Sequence, residues 1–513
     1  MSVDIVLQRA RRLYKNGKHF ETIDLLKDAI RNKNDDVKIR SAIGLAYYEI
    51  NKKEDSLSYF NFALELDRNY LPALQYKALI LMENDNYEEA LKLLIICKEK
   101  YPKVHAPQNN LALCYQELSM VNKANEIFEN LLDQFPEEHV SYVNYAMFLS
   151  EVGNIEKAKK IHFDALKKFK NTLSFQQLCE MGEIQKGNKI ISIMENTLVA
   201  EEMDITDKIN ICFGLGAYYS FQRDYANSSK FYIKGNKLRR STISFDHSLL
   251  EKNINYINRY KNIYDKIHID NTKFKNIFII GLPRSGTSLL EQMIDRHDSI
   301  IGLGEMAVIA QHHAKFFKNK SSVFSVTDKD IEMDVRKEME SISQDIINAY
   351  KSKSSDKNFD GYYVDKNPLN FLYLGFIQSL SSKVRFINIT RNRDDNLPSI
   401  YFSNFIGAHN YAYTPEEIKL FYNFYNEIMK FWKERLSNII LDIKYEDLIT
   451  NPKKEIMRIF EFLDLDYDEN CLLPHKNERL VRTRSKFQIR EKINKKGINK
   501  YTYYRDYIPE LFN

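Results

Sequence analysis

The sequence predicts an α + α/β chain. An all-α solenoid of helical repeats covers residues 1–240, bridging helices cover 241–272, and an α/β domain of the phosphate-loop type with a central parallel sheet covers 273–513. Three observations predict this. Small residues recur every 34 positions through the first third of the chain. From Lys275 onward, short β-rich runs alternate with helical segments. At that change lies "NIFIIGLPRSGTSLLEQMI" (Asn276–Ile294), in which an apolar strand runs through a glycine-bearing loop into a helix.

The repeats come first. Ala10, Gly44, Ala78, Ala112 and Ala146 stand 34 residues apart, and twelve positions after each comes another small residue: Thr22, Ser56, Ala90, Ala124 and Ala158. Leu26, Phe60, Leu94 and Phe128 form a column of large apolar residues that His162 interrupts, and Ala29, Ala63, Cys97, Leu131 and Ala165 form another. Small side chains let two helices approach closely, and stacking buries the remaining apolar face. With Pro102 and Pro136 closing two repeats, this pattern resembles tetratricopeptide repeats. The period blurs after Phe169 and returns at Gly216, Tyr219, Ser228, Tyr232 and Gly235. The resemblance therefore implies six or seven units from Asp4 to about Arg240, one of them degenerate. His162 reads as a packed or rim histidine, not a ligand. Leu249, Leu250, Ile254 and Ile257 are expected on one face of the bridging helices.

In the last part, "NIFII", "YYVD", "VRFINIT" and "NIILDIKY" read as strands. Continuous apolar strands alternating with helices argue for a parallel sheet covered on both faces. "YTPEEIKLFYNFYNEIMKFWKERL" and "NPKKEIMRIFEFLDL" read as helices opened by Thr-Pro and Asn-Pro start signals.

The glycine-bearing loop has the parts of an anion site. Amides at the start of the helix and the positive end of its dipole favour a phosphate. Arg284 adds a permanent cation with fork geometry, and Ser285, Gly286, Thr287 and Ser288 supply amides and hydroxyls. Thr287 occupies the place where G-x-x-x-x-G-K-[ST] has its lysine. The loop is therefore poorly suited to a magnesium–triphosphate, and a kinase-type reaction is disfavoured.

"GLPRSGTSLL" resembles the 5′-phosphosulfate loop of sulfotransferases that use 3′-phosphoadenosine 5′-phosphosulfate (PAPS). It is most similar to the loop of tyrosylprotein sulfotransferases and of bacterial proteins joining tetratricopeptide repeats to a sulfotransferase domain. In "RNRDDNLPSIYFS", Arg391 and Ser399 resemble the pair that binds the 3′-phosphate. The resemblance implies a catalytic set of Glu305 (base, in "IIGLGEMAV"), Arg284, Lys366 (in "VDKNPLN", at the leaving oxygen) and Ser485. It further implies cofactor contacts from Tyr445, Ser485, Gln488 and Lys500, the last three in a tail dense in cations that include Arg479 and Arg490. His312, His313 and His409 are the runner-up bases. PAPS would serve as co-substrate, and no metal is required because the moving group carries little charge.

Composition bounds the partners. The 75 Lys+Arg nearly balance 70 Asp+Glu, which gives no ground for a general nucleic-acid partner. Five cysteines without a C-x-x-C pair read as small buried hydrophobes. No run of eighteen apolar residues and no apolar leader core occur, so a soluble, cytoplasmic protein without a membrane span is expected. The acceptor is a hydroxyl on a protein tyrosine, a glycan or a small molecule. The repeats are expected to recognise an acceptor's carrier or partner protein, or to set a homodimer. The competing reading is a repeat scaffold whose nucleotide-binding domain is inactive.

Overall fold

The computed structural model describes residues 3–32, 35–199, 203–266, 268–269, 271–318, 329–354, 358–405, 407, 409–477, 479–481, 483 and 487–513. It forms two compact units, Met1–Phe148 and Leu149–Asn513.

The first unit is built of antiparallel helix pairs: Val3–Lys15 with His19–Arg31, Val37–Glu49 with Lys53–Leu66, Leu71–Glu83 with Tyr87–Lys100, and His105–Glu117 with Val121–Gln134. The turn inside each pair carries one left-handed residue: Gly17, Asn51, Asp85 and Ser119, with φ of 72°, 57°, 59° and 56°. The following amide then reaches back five residues, as in Lys52 N to Tyr47 O (2.9 Å) and Asn86 N to Leu81 O (2.8 Å). This is the geometry by which a left-handed residue satisfies the last carbonyls of a helix. The small-residue columns face the helix contacts, where Ala10, Ala78, Ala112, Ser56 and Ala90 are buried. A methyl group on Gly44 would meet the Phe60 ring at 2.8 Å.

The second unit opens with further helices: Ile155–Phe169, then the short pair Thr172–Glu180 and Lys189–Thr197, then Ile205–Phe221 with Tyr225–Thr242. His162 is fully buried, with its Nδ1 3.1 Å from Ser174 Oγ. The expected bridge is one helix, Ser248–Lys266. Leu250 and Ile257 are buried, but Leu249 is 47% exposed. Adjacent helical positions point about 100° apart, so Leu249 cannot share the face of Leu250.

Five strands form one parallel sheet of order β2-β3-β1-β4-β5: β1 (Asn276–Gly281), β2 (Ile300–Gly302), β3 (Tyr362–Asp365), β4 (Arg385–Thr390) and β5 (Ile440–Lys444). Phe278, Ile280 and Phe386 bury one face of the sheet with Trp432. Ile277, Ile279, Ile387 and Ile389 bury the other against Leu290, Met293 and Ile456. The predicted helices run Pro415–Arg435 and Pro452–Leu463, the first capped by Thr414 accepting from Glu417 N at 3.2 Å. β2 was not expected as a strand, because three residues are too few for a pattern to emerge.

The helix pair 205–242 packs directly on the sheet domain. The Tyr232 and Phe402 rings stack at 4.3 Å, and Ser228 Oγ lies 2.9 Å from the Tyr504 hydroxyl. Asn236 donates to Tyr401 O at 3.0 Å, and Arg240 pairs with Glu417 at 2.6 Å. Among the described residues no helix is long and apolar enough to cross a membrane, and all five cysteines are buried free thiols.

Candidate functional site

Because all five strands are parallel, their carboxyl ends lie along one edge, where open α/β sheets bind ligands. The glycine-bearing loop leaves β1, the Glu305 turn follows β2, Lys366 follows β3, Arg391 follows β4, and Tyr445 follows β5.

At the centre, Gly281 (φ 154°) pairs with Ile389, and a side chain there would collide with the Ile389 carbonyl. Gly286 (φ 107°) caps the helix Thr287–Ile294, and a methyl group there would meet Tyr445 Cδ2 at 2.6 Å. Arg284, although not glycine, takes φ 66°, which costs on the order of 1–2 kcal/mol. The surroundings enforce it: Asn396 donates to Pro283 O at 2.9 Å, and Arg391 donates to Arg284 O at 3.0 Å. With these carbonyls drawn to donors, the loop is held in this conformation. Ser285, Thr287 and Ser288 are buried at its rim, and Ser285 Oγ has no hydrogen-bond partner.

The second cation group joins the first. Arg284 Nε donates to Ser399 Oγ (3.2 Å), and its Nη2 to Gln488 Oε1 (3.1 Å). Tyr501 donates to the same Ser399 Oγ at 3.4 Å. Arg391 lies over the Tyr445 ring at 4.9 Å and donates to Gly497 O at 2.6 Å, while its buried Nε has no partner. Lys500 lies 5.2 Å from the Tyr501 ring centre. Asp395 holds this end of the tail by accepting from Asn499 N (2.7 Å) and Tyr501 N (3.3 Å). Burial pushes the Tyr501 phenol up, yet Lys500, Arg284, Arg391 and the bond to Ser399 outweigh it and bring it down to about 8. A buried phenol that ionises more easily than in water reports concentrated positive potential.

On the β2–β3 side, Lys366 Nζ pairs with Glu305 Oε1 at 2.6 Å. The ammonium is 1% exposed and the carboxylate 45%, so the pair presents its acidic end outward. Lys366 N donates to Gly304 O at 2.9 Å, and Asn367 Nδ2 to Met306 O at 3.0 Å. Asp365, fully buried, accepts from Tyr350 (2.8 Å), Asn367 N (3.1 Å) and Met306 N (3.4 Å). Burial raises its carboxyl to about 7 in spite of those bonds.

The sequence-predicted residues therefore fall into two groups. Arg284, Ser285, Gly286, Thr287, Ser288, Arg391, Ser399, Tyr445, Gln488 and Lys500 gather around the loop, while Glu305 and Lys366 form the second group at the same sheet edge. Ser485 lies outside the described residues. His313 is packed among Tyr256, Phe317, Tyr373 and Phe376, where burial lowers its imidazole to about 4. His312 is half-buried, on the same helix as His313. Burial lowers His409, and nearby Glu305 acts in the opposite sense. Two tail cations serve the fold instead of an anion site: Arg479 pairs with Glu291 and Asp295, and Arg490 donates to the carbonyls of Asn477, Glu151 and Arg479. Motif reading missed Asp395, Asp365 and Tyr501. For Asp365 the signal was an acidic residue beside Lys366; Asp395, four positions after Arg391, carried none.

Two segments of the chain match known protein families. Residues 276–469 match the model of the sulfotransferase family, and residues 110–138 match a tetratricopeptide repeat. The chain thus carries a sulfotransferase-family domain together with a tetratricopeptide-repeat segment. An uncharacterized protein of Aquifex aeolicus (strain VF5) is 24% identical over 355 residues, covering 65% of this chain and 45% of that protein. The chain therefore spans less than half the length of that relative. A Caenorhabditis briggsae protein, provisionally assigned as a protein-tyrosine sulfotransferase, is 26% identical over 211 residues, 39% of this chain and 69% of its own. Similar solved structures include the sulfotransferase domain of the Synechococcus PCC 7002 olefin synthase (17% identity, TM-score 0.32, 44% of this chain and 86% of that one). They also include the sulfotransferase domain of the curacin biosynthetic pathway (16%, 0.33, 46% and 91%) and a tetratricopeptide repeat protein of Parabacteroides merdae (15%, 0.36, 46% and 92%).

Proposed function

We propose that the chain transfers a sulfonate group from PAPS to a hydroxyl acceptor, with Glu305 as the base. The observation that carries this reading is the joining of Arg284, Arg391, Ser399 and Lys500 around the glycine loop, with a Glu305–Lys366 pair at the same sheet edge. The residues fit a nucleotide with phosphate at two positions. Ser285 Oγ and Arg391 Nε are buried polar atoms lacking partners, and the loop glycines leave room that a side chain would fill.

When bound, PAPS supplies the sulfonate, whose bond to the bridging oxygen breaks as the acceptor oxygen bonds to sulfur, the electron pair leaving on the 5′-phosphate. Glu305 takes the acceptor's proton, and its exposed carboxylate is placed to meet a hydroxyl arriving from solvent. Lys366 and Arg284 set positive charge where negative charge develops. Gly281 and Gly286 hold the loop amides on the 5′ side, and Arg391 with Ser399 grips the 3′ side. Protein tyrosine is the acceptor favoured by similarity to the Caenorhabditis briggsae protein, and the repeat segment would present the protein that carries it.

Calorimetry tests the nucleotide: 3′,5′-bisphosphoadenosine should bind more tightly than ATP, and the reverse order removes the reading. Transfer of label from PAPS to host lysate fractions identifies the acceptor class. Label in protein supports tyrosine, whereas label confined to polysaccharide or low-mass material refutes it. Glu305→Ala should slow transfer by about 10²–10⁴-fold, and an unchanged rate would eliminate Glu305 as base.

A further inference from the structure

The turn that carries Glu305 is tied to the helix of the glycine loop by one buried and two partly buried charges. Glu291 lies on that helix, is 1% exposed, and accepts from Gly304 N at 2.8 Å. Asp295, one helical turn later, accepts from Gly302 N at 2.5 Å. Arg479 grips both carboxylates with its fork, through Nη2 to Glu291 Oε1 (2.6 Å) and Nε to Asp295 Oδ2 (3.0 Å). Asn477 donates to Asp295 Oδ2 at 2.6 Å. The fit around the guanidinium is close, since a methyl group on Gly302 would meet Arg479 Nη2 at 2.8 Å.

Ion triads largely withdrawn from water are a poor way to gain stability, because apolar residues of similar volume hold elements together as well or better. An apolar cluster, however, gives no direction to an amide. This triad aims two: Gly302 N and Gly304 N, the second immediately before Glu305. The helix that bears Glu291 and ends at its cap, Asp295, begins at the loop amides of Gly286–Ser288.

We propose that Glu291, Asp295 and Arg479 are positioning residues that set the reach between Glu305 and the phosphate loop. The proposal rests on the sulfotransferase reading for the nature of the group that travels across that reach; the tie between the two elements can be measured without it. A transfer reaction is sensitive to such a distance, since a misplacement of about 1 Å can cost about 10²-fold in rate.

The test uses the full chain with Arg479→Lys, which keeps the charge but loses the fork, and Glu291→Gln, which keeps an acceptor for Gly304 N but weakens the ion pair. Three quantities are measured: amide hydrogen exchange, affinity for 3′,5′-bisphosphoadenosine, and transfer from PAPS to the acceptor fraction. For Arg479→Lys, Gly302 and Gly304 should exchange about tenfold faster while Gly286–Ser288 do not. Affinity should stay within about twofold while transfer falls by about 10²-fold. Glu291→Gln should lie between this variant and the wild type. For Arg479→Ala, added guanidinium ion should restore part of the rate. Unchanged exchange at Gly302 and Gly304 would overturn the proposal. So would a loss of affinity in step with the rate and faster exchange throughout the fold, which would mark a merely structural triad. If the wild type binds no bisphosphoadenosine, the sulfotransferase reading fails, while the exchange data still decide the tie.

Discussion

Two places in the molecule use the same helix contact for different ends. In the first unit, Ser56 donates to Gly44 O at 2.7 Å and Phe60 lies against Gly44. In the second, Ser228 donates to Gly216 O at 2.7 Å and Tyr232 lies against Gly216. Spacing and geometry agree, but the next contact does not. Phe60 stacks on Tyr76, 16 residues along the array, at 5.9 Å. Tyr232 stacks on Phe402, at the end of the helix that carries Ser399. A repeat unit leaves one apolar face for its neighbour to cover. In the pair 205–242 that neighbour is the candidate nucleotide site's own helix.

Removing each region in turn should produce the largest contrast. Residues 139–513, which keep the helix His139–Glu151 whole, should fold and bind 3′,5′-bisphosphoadenosine. Residues 241–513 should not fold cooperatively, because Phe402 and Tyr504 would lose their cover; circular dichroism and calorimetry distinguish the two. A cooperative transition for 241–513 would break the comparison.

The glycines come next. Gly44→Ala and Gly216→Ala each press a methyl group onto an aromatic ring, at 2.8 and 2.9 Å, and each should cost about 1–3 kcal/mol by denaturant unfolding. Only Gly216→Ala should also weaken nucleotide binding, since Tyr232 transmits the shift to Phe402. Equal effects on binding would remove the distinction.

Ser56→Ala and Ser228→Ala should each cost about 1 kcal/mol. Ser228→Ala should be the more costly, because Ser228 also meets the Tyr504 hydroxyl.

The smallest effect concerns pH at Tyr501, whose ring packs on Phe402 and whose hydroxyl faces Ser399, Lys500, Arg284 and Arg391. Its phenol is brought down to about 8, and under the proposed function the phenolate would add negative charge beside a bound nucleotide's phosphates. Affinity should therefore fall as pH rises through about 8, and Tyr501→Phe should flatten that dependence. The sign for folding is opposite: a depressed phenol favours the folded state increasingly between about 8 and the ordinary value near 10.

Much of this was legible beforehand. The 34-residue columns place small residues in buried contacts, and four of the five strands carry their own apolar runs. The loop motif and the Arg391–Ser399 pair announced the cation-rich end, because backbone conformation and phosphate chemistry demand particular residues at short spacing. The left-handed turns of the repeats were less visible, since Asn51, Asp85 and Ser119 fill a position that glycine takes only at Gly17 in the first unit. Leu249 was misassigned for lack of a rotational reference.

Local periodicity and loop chemistry, both short-range properties, determined the repeat pattern, the strand–loop–helix junction and which polar and cationic residues stand at it. Tertiary structure alone decided that Arg479 would join Glu291 to Asp295, that Tyr501 would close on Ser399, and that helices 205–242 would complete the sheet domain. Those pairings join residues about 100 to 280 positions apart. No spacing rule operates over such distances, and they form because buried charges and exposed aromatic faces require partners that only folding brings within reach.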